Sequence, residues 1–429
     1  MLENLFSLKA HETNLKQETV AGFTTFLGMV YICFVNPSLL SAAGMDHGAV
    51  FVATCSAAAL GCILMGLLAN YPIALAPGMG LNAYFTYGVV LGMGYTWQVA
   101  LGAVFLSGIG FLLLSIFRVR EVIINSIPDP LKFAISAGIG LFLGIIALKN
   151  AGVIEAHPAT LITLGDLGSP EALLAIFGFL VMASLQERRI PGGIALTILG
   201  LTLLGVLFGL TPYEGIIALP PSIAPTFLQF DIAGALELGF LTVVFAFLFV
   251  DLFDTAGTLI GVGVHGNLLD SNNQLPRLKR ALLADSTATI AGAGLGTSTT
   301  TSYIESALGI EAGGRTGLTA VTTGVLFLAA LFFAPLAKTV PLFATAPALL
   351  YVSCLMARSL SKINWDNSLE SIPAVLTAIS MPLTFSIATG IGFGFISYAV
   401  LRLFTGRIRE LNLPVTVIAV LFVIKFSVS

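Results

Sequence analysis

Residues 47–117 contain no Asp, Glu, Lys or Arg, a run of 71 positions. One membrane-spanning helix needs only about 20 apolar residues, so this run holds several crossings joined by uncharged turns. A buried soluble core is excluded. The whole chain agrees: 10% of 429 residues are charged and 57% are hydrophobic, whereas about 25% of a typical soluble protein is charged. The 45 glycines suit helices that pack closely in lipid. Residues 1–19 carry Glu3, Lys9, Glu12, Lys16 and Glu18 and lack an apolar stretch followed by a small-residue cleavage site. They read as a cytoplasmic segment rather than a signal peptide. Cys33, Cys55, Cys62 and Cys354 sit in apolar runs and read as packing residues, not as a disulfide frame or metal site.

Apolar windows predict spans near 20–40, 48–69, 72–93, 97–117, 131–149, 171–186 and 192–210. A second set follows near 238–260, 280–296, 298–313, 316–336, 343–358, 371–387 and 390–405. A last apolar stretch, 413–428, either crosses or lies at the interface. With fourteen spans and a cytoplasmic N-terminus, Arg118/Arg120, Arg188/Arg189, Arg277/Lys279/Arg280, Arg315, Arg358/Lys362 and Arg407/Arg409 all fall inside. The loops near 150–170 and 211–236 have no Lys or Arg and fall outside, as the positive-inside rule requires.

Seven spans followed by seven suggest a repeat. Gly-Ala-Val-Phe-Leu at 102–106 recurs as Gly-Val-Leu-Phe-Leu at 324–328, an offset of 222. The same offset carries Ala76–Phe85 close to Thr299–Leu308, two segments that interrupt their spans. An odd span number per repeat inverts one half relative to the other, a build shared by many secondary transporters. The expected fold is therefore an all-α polytopic membrane protein of about fourteen segments in a 7+7 inverted repeat. Spans three and ten are expected to be broken and to contain short extended segments. The first repeat covers 20–210, an external loop 211–237, the second repeat 238–405, and a C-terminal segment 406–429.

Four segments carry chemistry. Span eight reads Asp251-Leu-Phe-Asp254-Thr-Ala-Gly-Thr258, and these aspartates are the only charged residues between Glu237 and Asp270. A carboxylate at the bilayer centre costs about 2.5–3.5 kcal/mol on insertion scales, a cost usually retained for function. The plainer alternative is a cap or a local pair, and for Asp251 the two readings balance. Span ten opens on six consecutive hydroxyl residues, Thr297 to Ser302, followed by Tyr303, Ile304 and Glu305. That run suits an extended strand lining a polar cavity, and a helix beginning near Tyr303 favours Glu305 in its first turn. Span three reads Ala76-Pro-Gly-Met-Gly-Leu-Asn82-Ala-Tyr84-Phe85. Proline and glycine break it, delivering an amide and two rings that could stack on a flat solute or simply pack. Asp285 lies two turns inside the Arg277–Arg280 cluster, where a salt bridge and a transport role are equally plausible. His11, His47, His157 and His265 fall at span ends or in loops, and no nucleotide-binding loop is present.

Together these motifs, with Gly22-Phe-Thr24-Thr25-Phe and Gly313-Gly-Arg-Thr-Gly-Leu-Thr-Ala, resemble the AzgA-like purine permeases, a branch of the nucleobase–cation symporters. The resemblance spans nearly the whole chain. It implies a UraA-like fold, that of the uracil permease, with a core domain (20–118 and 238–336) and a gate domain (119–210 and 337–405). It further implies proton-coupled purine import across the inner membrane, no enzymatic activity, no cofactor, no metal and no nucleic-acid partner. A homodimer is left open.

Substrate contacts are implied for Asp254, Glu305, Asn82, Thr24, Thr25, Tyr84, Phe85, Thr258 and Ser302. Proton coupling is implied for Asp254, Glu305 and Asp285. The span-three version looks more like the guanine/hypoxanthine members than the adenine ones. The wider family often carries Gln-His in span one and Glu in span eight; their replacement here shifts proton handling to the carboxylates. Two rival readings are weaker. An anion transporter of this architecture would prefer cations at the half-helix junction. An intramembrane aspartyl protease needs a Gly-Leu-Gly-Asp context, and Gly294-Leu-Gly-Thr297 lacks the acid.

Overall fold

The structure, a computed structural model, describes residues 2–116, 128–158, 160–237, 241–266, 268 and 275–428. Arg118, Arg120 and Asp270 lie outside the described residues. The chain is a multi-pass helical membrane protein. Nine helical stretches among the described residues are long and apolar enough to cross a bilayer. Fourteen were expected; Gly193–Leu207 is apolar but shorter than the nine, and the segments expected near 72–93 and 298–313 contain extended backbone at Leu75–Pro77 and Thr300–Ser302.

The helices used below are α1 (Leu15–Met29), α2 (Ile32–Ser41), α3 (His47–Leu64), α4 (Met79–Ala83), α5 (Trp97–Ile116) and α6 (Asp129–Asn150). They continue with α7 (Leu241–His265), α8 (Leu278–Leu295), α9 (Ser306–Glu311), α10 (Gly317–Ala330), α11 (Leu342–Ala357), α12 (Ser368–Thr384) and α13 (Ile387–Phe404). Two groups pack among themselves. In one, α8 lies on α3 and α5, and α10 lies on α1 and α3. In the other, α6 lies on α11 and α12, and α12 lies on α13. The loop expected near 150–170, which has no Lys or Arg, contains a hairpin, β2 (Ile154–His157) against β3 (Leu161–Leu164).

Small residues set how closely α10 can approach. Gly66 and Gly317 meet backbone to backbone, and a Cβ on either would overlap the other's carbonyl oxygen. The start of α10 is then capped from a distance. Glu18, fully buried, accepts from the Arg315 N–H (2.9 Å), the Thr316 N–H (3.3 Å) and the Thr319 hydroxyl (2.6 Å). Asn70 accepts from the Gly317 N–H at 2.7 Å and donates to the Phe6 carbonyl at 3.0 Å. Helix N-termini expose orphan N–H groups that need such partners. Helix α1 likewise starts at Leu15 on a capped turn, with Asn14 Oδ1 accepting from the Gln17 N–H at 3.0 Å. Glu18, in the segment 1–19 expected to precede the first span, therefore lies inside α1.

Candidate functional site

Pro77 and the hydroxyl run prepare two segments for extended backbone, and the fold pairs them. Strand β1 (Leu75–Pro77) runs antiparallel to β4 (Thr300–Ser302), with Ala76 opposite Thr301. Every residue of both is buried. Away from water each backbone polar group needs a protein partner, and the flanks supply several. Gly78 N–H donates to the Thr299 carbonyl (2.9 Å), Tyr303 N–H to the Ala74 carbonyl (3.0 Å), and the Tyr303 hydroxyl to the Pro77 carbonyl (2.6 Å). Short helices α4 and α9 leave the pair.

Two groups of carboxylates border this strand pair. Asp285, on α8, is fully buried and accepts from the Thr255 hydroxyl at 2.9 Å and the Ser302 hydroxyl at 3.4 Å. Thr255 also shares a 2.9 Å hydrogen bond with Thr301. Thr289 donates to the Thr300 carbonyl at 2.8 Å and lies 3.5 Å from Asp251. Asp251 and Asp285 are thus woven into hydroxyl contacts that fasten β4 to α7 and α8.

Asp254 and Glu305 form the other group. Both are half-buried, and they are electrostatic neighbours with Tyr303 in the field of both. Glu305 is the N-cap residue of α9. Its Oε1 accepts from the hydroxyl of Tyr31 at 2.8 Å. Tyr351, on α11, is a further electrostatic neighbour of Glu305 and comes from the other helix group. Two acceptors in an apolar surround can meet N–H donors when ionised, and either becomes a donor when protonated.

The remaining expected residues divide. Asn82, on α4, is fully buried, and neither amide atom has a partner among the described residues. Thr258 is half-buried one turn beyond Asp254. Ser302 faces Asp285. The Thr24 hydroxyl returns to the Val20 carbonyl at 2.9 Å, and Thr25 is wedged against Gly309 of α9. Tyr84 and Phe85 are fully buried; the Tyr84 ring packs on Phe247, with centroids 5.1 Å apart. Sequence reasoning did not single out Tyr31, Thr255 or Tyr351, each an ordinary residue in an apolar run. The signal for Tyr303 was present, two positions before Glu305.

The fold and this site define a membrane permease. The profile of the Permease family (Xan_ur_permease) matches residues 16–393, and the chain belongs to that family. Adenine permease AdeP of Escherichia coli K12 is 51% identical over 425 residues, covering 99% of this chain and 96% of the relative. Guanine/hypoxanthine permease PbuG of Bacillus subtilis 168 is 47% identical over 437 residues, 99% of each. The transmembrane domain of a cyanobacterial bicarbonate transporter, BicA, superposes with a TM-score of 0.65 at 17% identity over 90% of this chain and 97% of that one. At that identity the likeness concerns the fold alone.

Proposed function

We propose that the chain is a proton-coupled symporter that imports purine nucleobases by alternating access, with its N-terminus in the cytoplasm. The observation that carries this reading is that Asp254 and Glu305 lie within electrostatic reach of each other near buried paired strands, in a family whose named relatives include purine permeases. A purine presents ring N–H donors next to acceptors, and a carboxylate that changes protonation changes from acceptor to donor. One such acid at the base gives recognition and proton dependence together. Glu305 contacts the base, and Asp254 contacts it or carries the proton. Asn82 offers the neutral amide opposite them. Asp285 serves this arrangement by holding β4 through Thr255 and Ser302. The helices 20–118 and 238–336 act as the core and 119–210 and 337–405 as the gate, so Tyr351 faces the site from the gate side.

Two choices of base compete. The Gly-Leu-Asn-Ala-Tyr-Phe motif favours guanine and hypoxanthine, whereas the higher identity to AdeP favours adenine. Uptake of labelled hypoxanthine and labelled adenine in purine-transport-deficient cells, each challenged with guanine, hypoxanthine, adenine, xanthine and uracil, separates them. Competition among the oxopurines alone supports the first choice, and competition by adenine alone supports the second. Uptake of neither label refutes purine transport, and accumulation that survives an uncoupler refutes proton drive.

A further inference from the structure

A carboxylate that recognises a solute needs a fixed orientation, and one residue far away in sequence provides it for Glu305. Tyr31 is fully buried, and its hydroxyl donates to Glu305 Oε1 at 2.8 Å across 274 positions. It occupies the two-residue interruption between α1 and α2. Its backbone is anchored there, because the Tyr31 carbonyl accepts from the Phe34 and Val35 N–H groups, both at 3.0 Å. Gly28, three residues earlier, lets the chain come close: a Cβ there would stand 3.5 Å from the Glu305 Cβ and 2.8 Å from Leu308. The phenol therefore reaches Glu305 from a rigid base.

We propose that Tyr31 is a positioning residue for substrate binding. It takes one lone pair of Glu305 Oε1 and fixes the carboxylate's orientation, so that Oε2 is the oxygen left fully open to the solute. Glu305 then meets a single N–H of the base in place of a bidentate edge. This role rests on the purine reading above. The simpler alternative is a core tyrosine whose hydroxyl happens to find an acceptor, and the two differ in whether Tyr31 acts through Glu305.

The test uses the purified full-length protein in lipid nanodiscs, with labelled adenine and labelled hypoxanthine as probes. Tyr31→Phe weakens binding of whichever base the wild type takes by about tenfold, equivalent to about 1.4 kcal/mol. In a Glu305→Gln background, where one neutral amide oxygen must serve both the phenol and the base, the same change has a smaller effect, about threefold or less. In cells, Tyr31→Phe raises KM while leaving Vmax nearly intact, a split that remains readable if the Gln variant binds too weakly to titrate. Equal weakening with and without Glu305, or a fall in Vmax at unchanged KM, overturns the positioning role alone. A wild type that binds neither base overturns the purine reading and this role with it.

Discussion

Replacing Glu18 with alanine removes the cap that ties α1 to α10. The carboxylate is fully buried and accepts from Arg315 N–H, Thr316 N–H and the Thr319 hydroxyl. Hydrogen bonds to a charged group contribute about 1.5–3 kcal/mol each, and a stranded buried donor costs about 1–3 kcal/mol. Three donors on one carboxylate do not add independently. Thr319 also has a fallback at the Glu18 backbone carbonyl, 3.4 Å away. The net loss for Glu18→Ala is therefore about 3 kcal/mol, dominated by the two N–H groups. Glu18→Gln keeps one acceptor oxygen and loses about 1–2 kcal/mol. At about 2 °C per kcal/mol, the alanine variant unfolds roughly 6 °C below the wild type. Heating the detergent-purified protein and following its monodisperse fraction by size exclusion reads this directly. An alanine midpoint within about a degree of wild type, or a glutamine variant below alanine, refutes the capping argument.

Asp254→Asn and Glu305→Gln each reduce concentrative purine uptake by roughly 10- to 100-fold, the equivalent of one lost charged hydrogen bond. Blotting of the membrane fraction checks that their amount is unchanged, and wild-type uptake by either variant contradicts the site. Thr255→Val, which breaks contacts of 2.9 Å to both Asp285 and Thr301, costs about 1–3 kcal/mol of stability. Ser302→Ala, at 3.4 Å, costs less, and the reverse order in thermal unfolding would refute the hydroxyl network. Gly309→Ala drives a methyl into the Thr25 hydroxyl and costs about 1–3 kcal/mol by overpacking. Adding Thr25→Ala restores part of that stability, because the Ala21 carbonyl, 2.8 Å from the new Cβ, remains.

The extended pieces were legible because their causes are local: proline at 77, and a hydroxyl run at 297–302 that is poor helix material. The acids were legible because a charge stands out in an apolar run. Which acid does what was not. Asp251 and Asp254 lie three apart on one helix, yet Asp254 is an electrostatic neighbour of Glu305, whereas Asp251 lies 3.5 Å from the Thr289 hydroxyl. That distinction depends on how α7 is rotated against α8, and no local pattern states it. Tyr31 was invisible for a related reason. A buried tyrosine in an apolar helix normally reads as packing, and only tertiary structure brings its hydroxyl to a residue 274 positions away. Glu18 was hidden by a boundary, since a charge near a helix start looks solvated until its partners are known.

The antiparallel pairing of β1 and β4 relates the two repeat-matched segments locally by a two-fold rotation, so α4 and α9 leave it as counterparts. They carry different chemistry: Asn82 on one side, and on the other a carboxyl that can change charge. On the proposed reading, the Glu305 side couples protonation to recognition, while Asn82 supplies fixed hydrogen bonds. Asn82→Leu tests this division in a way a purely structural amide would not satisfy. Neither amide atom has a protein partner among the described residues, and replacing an unsatisfied polar group by an apolar one of similar shape is close to neutral or stabilising. The variant should therefore unfold at or above the wild-type temperature while binding purine roughly tenfold more weakly. Loss of stability with full binding would make Asn82 a structural residue and leave recognition to the carboxylate side.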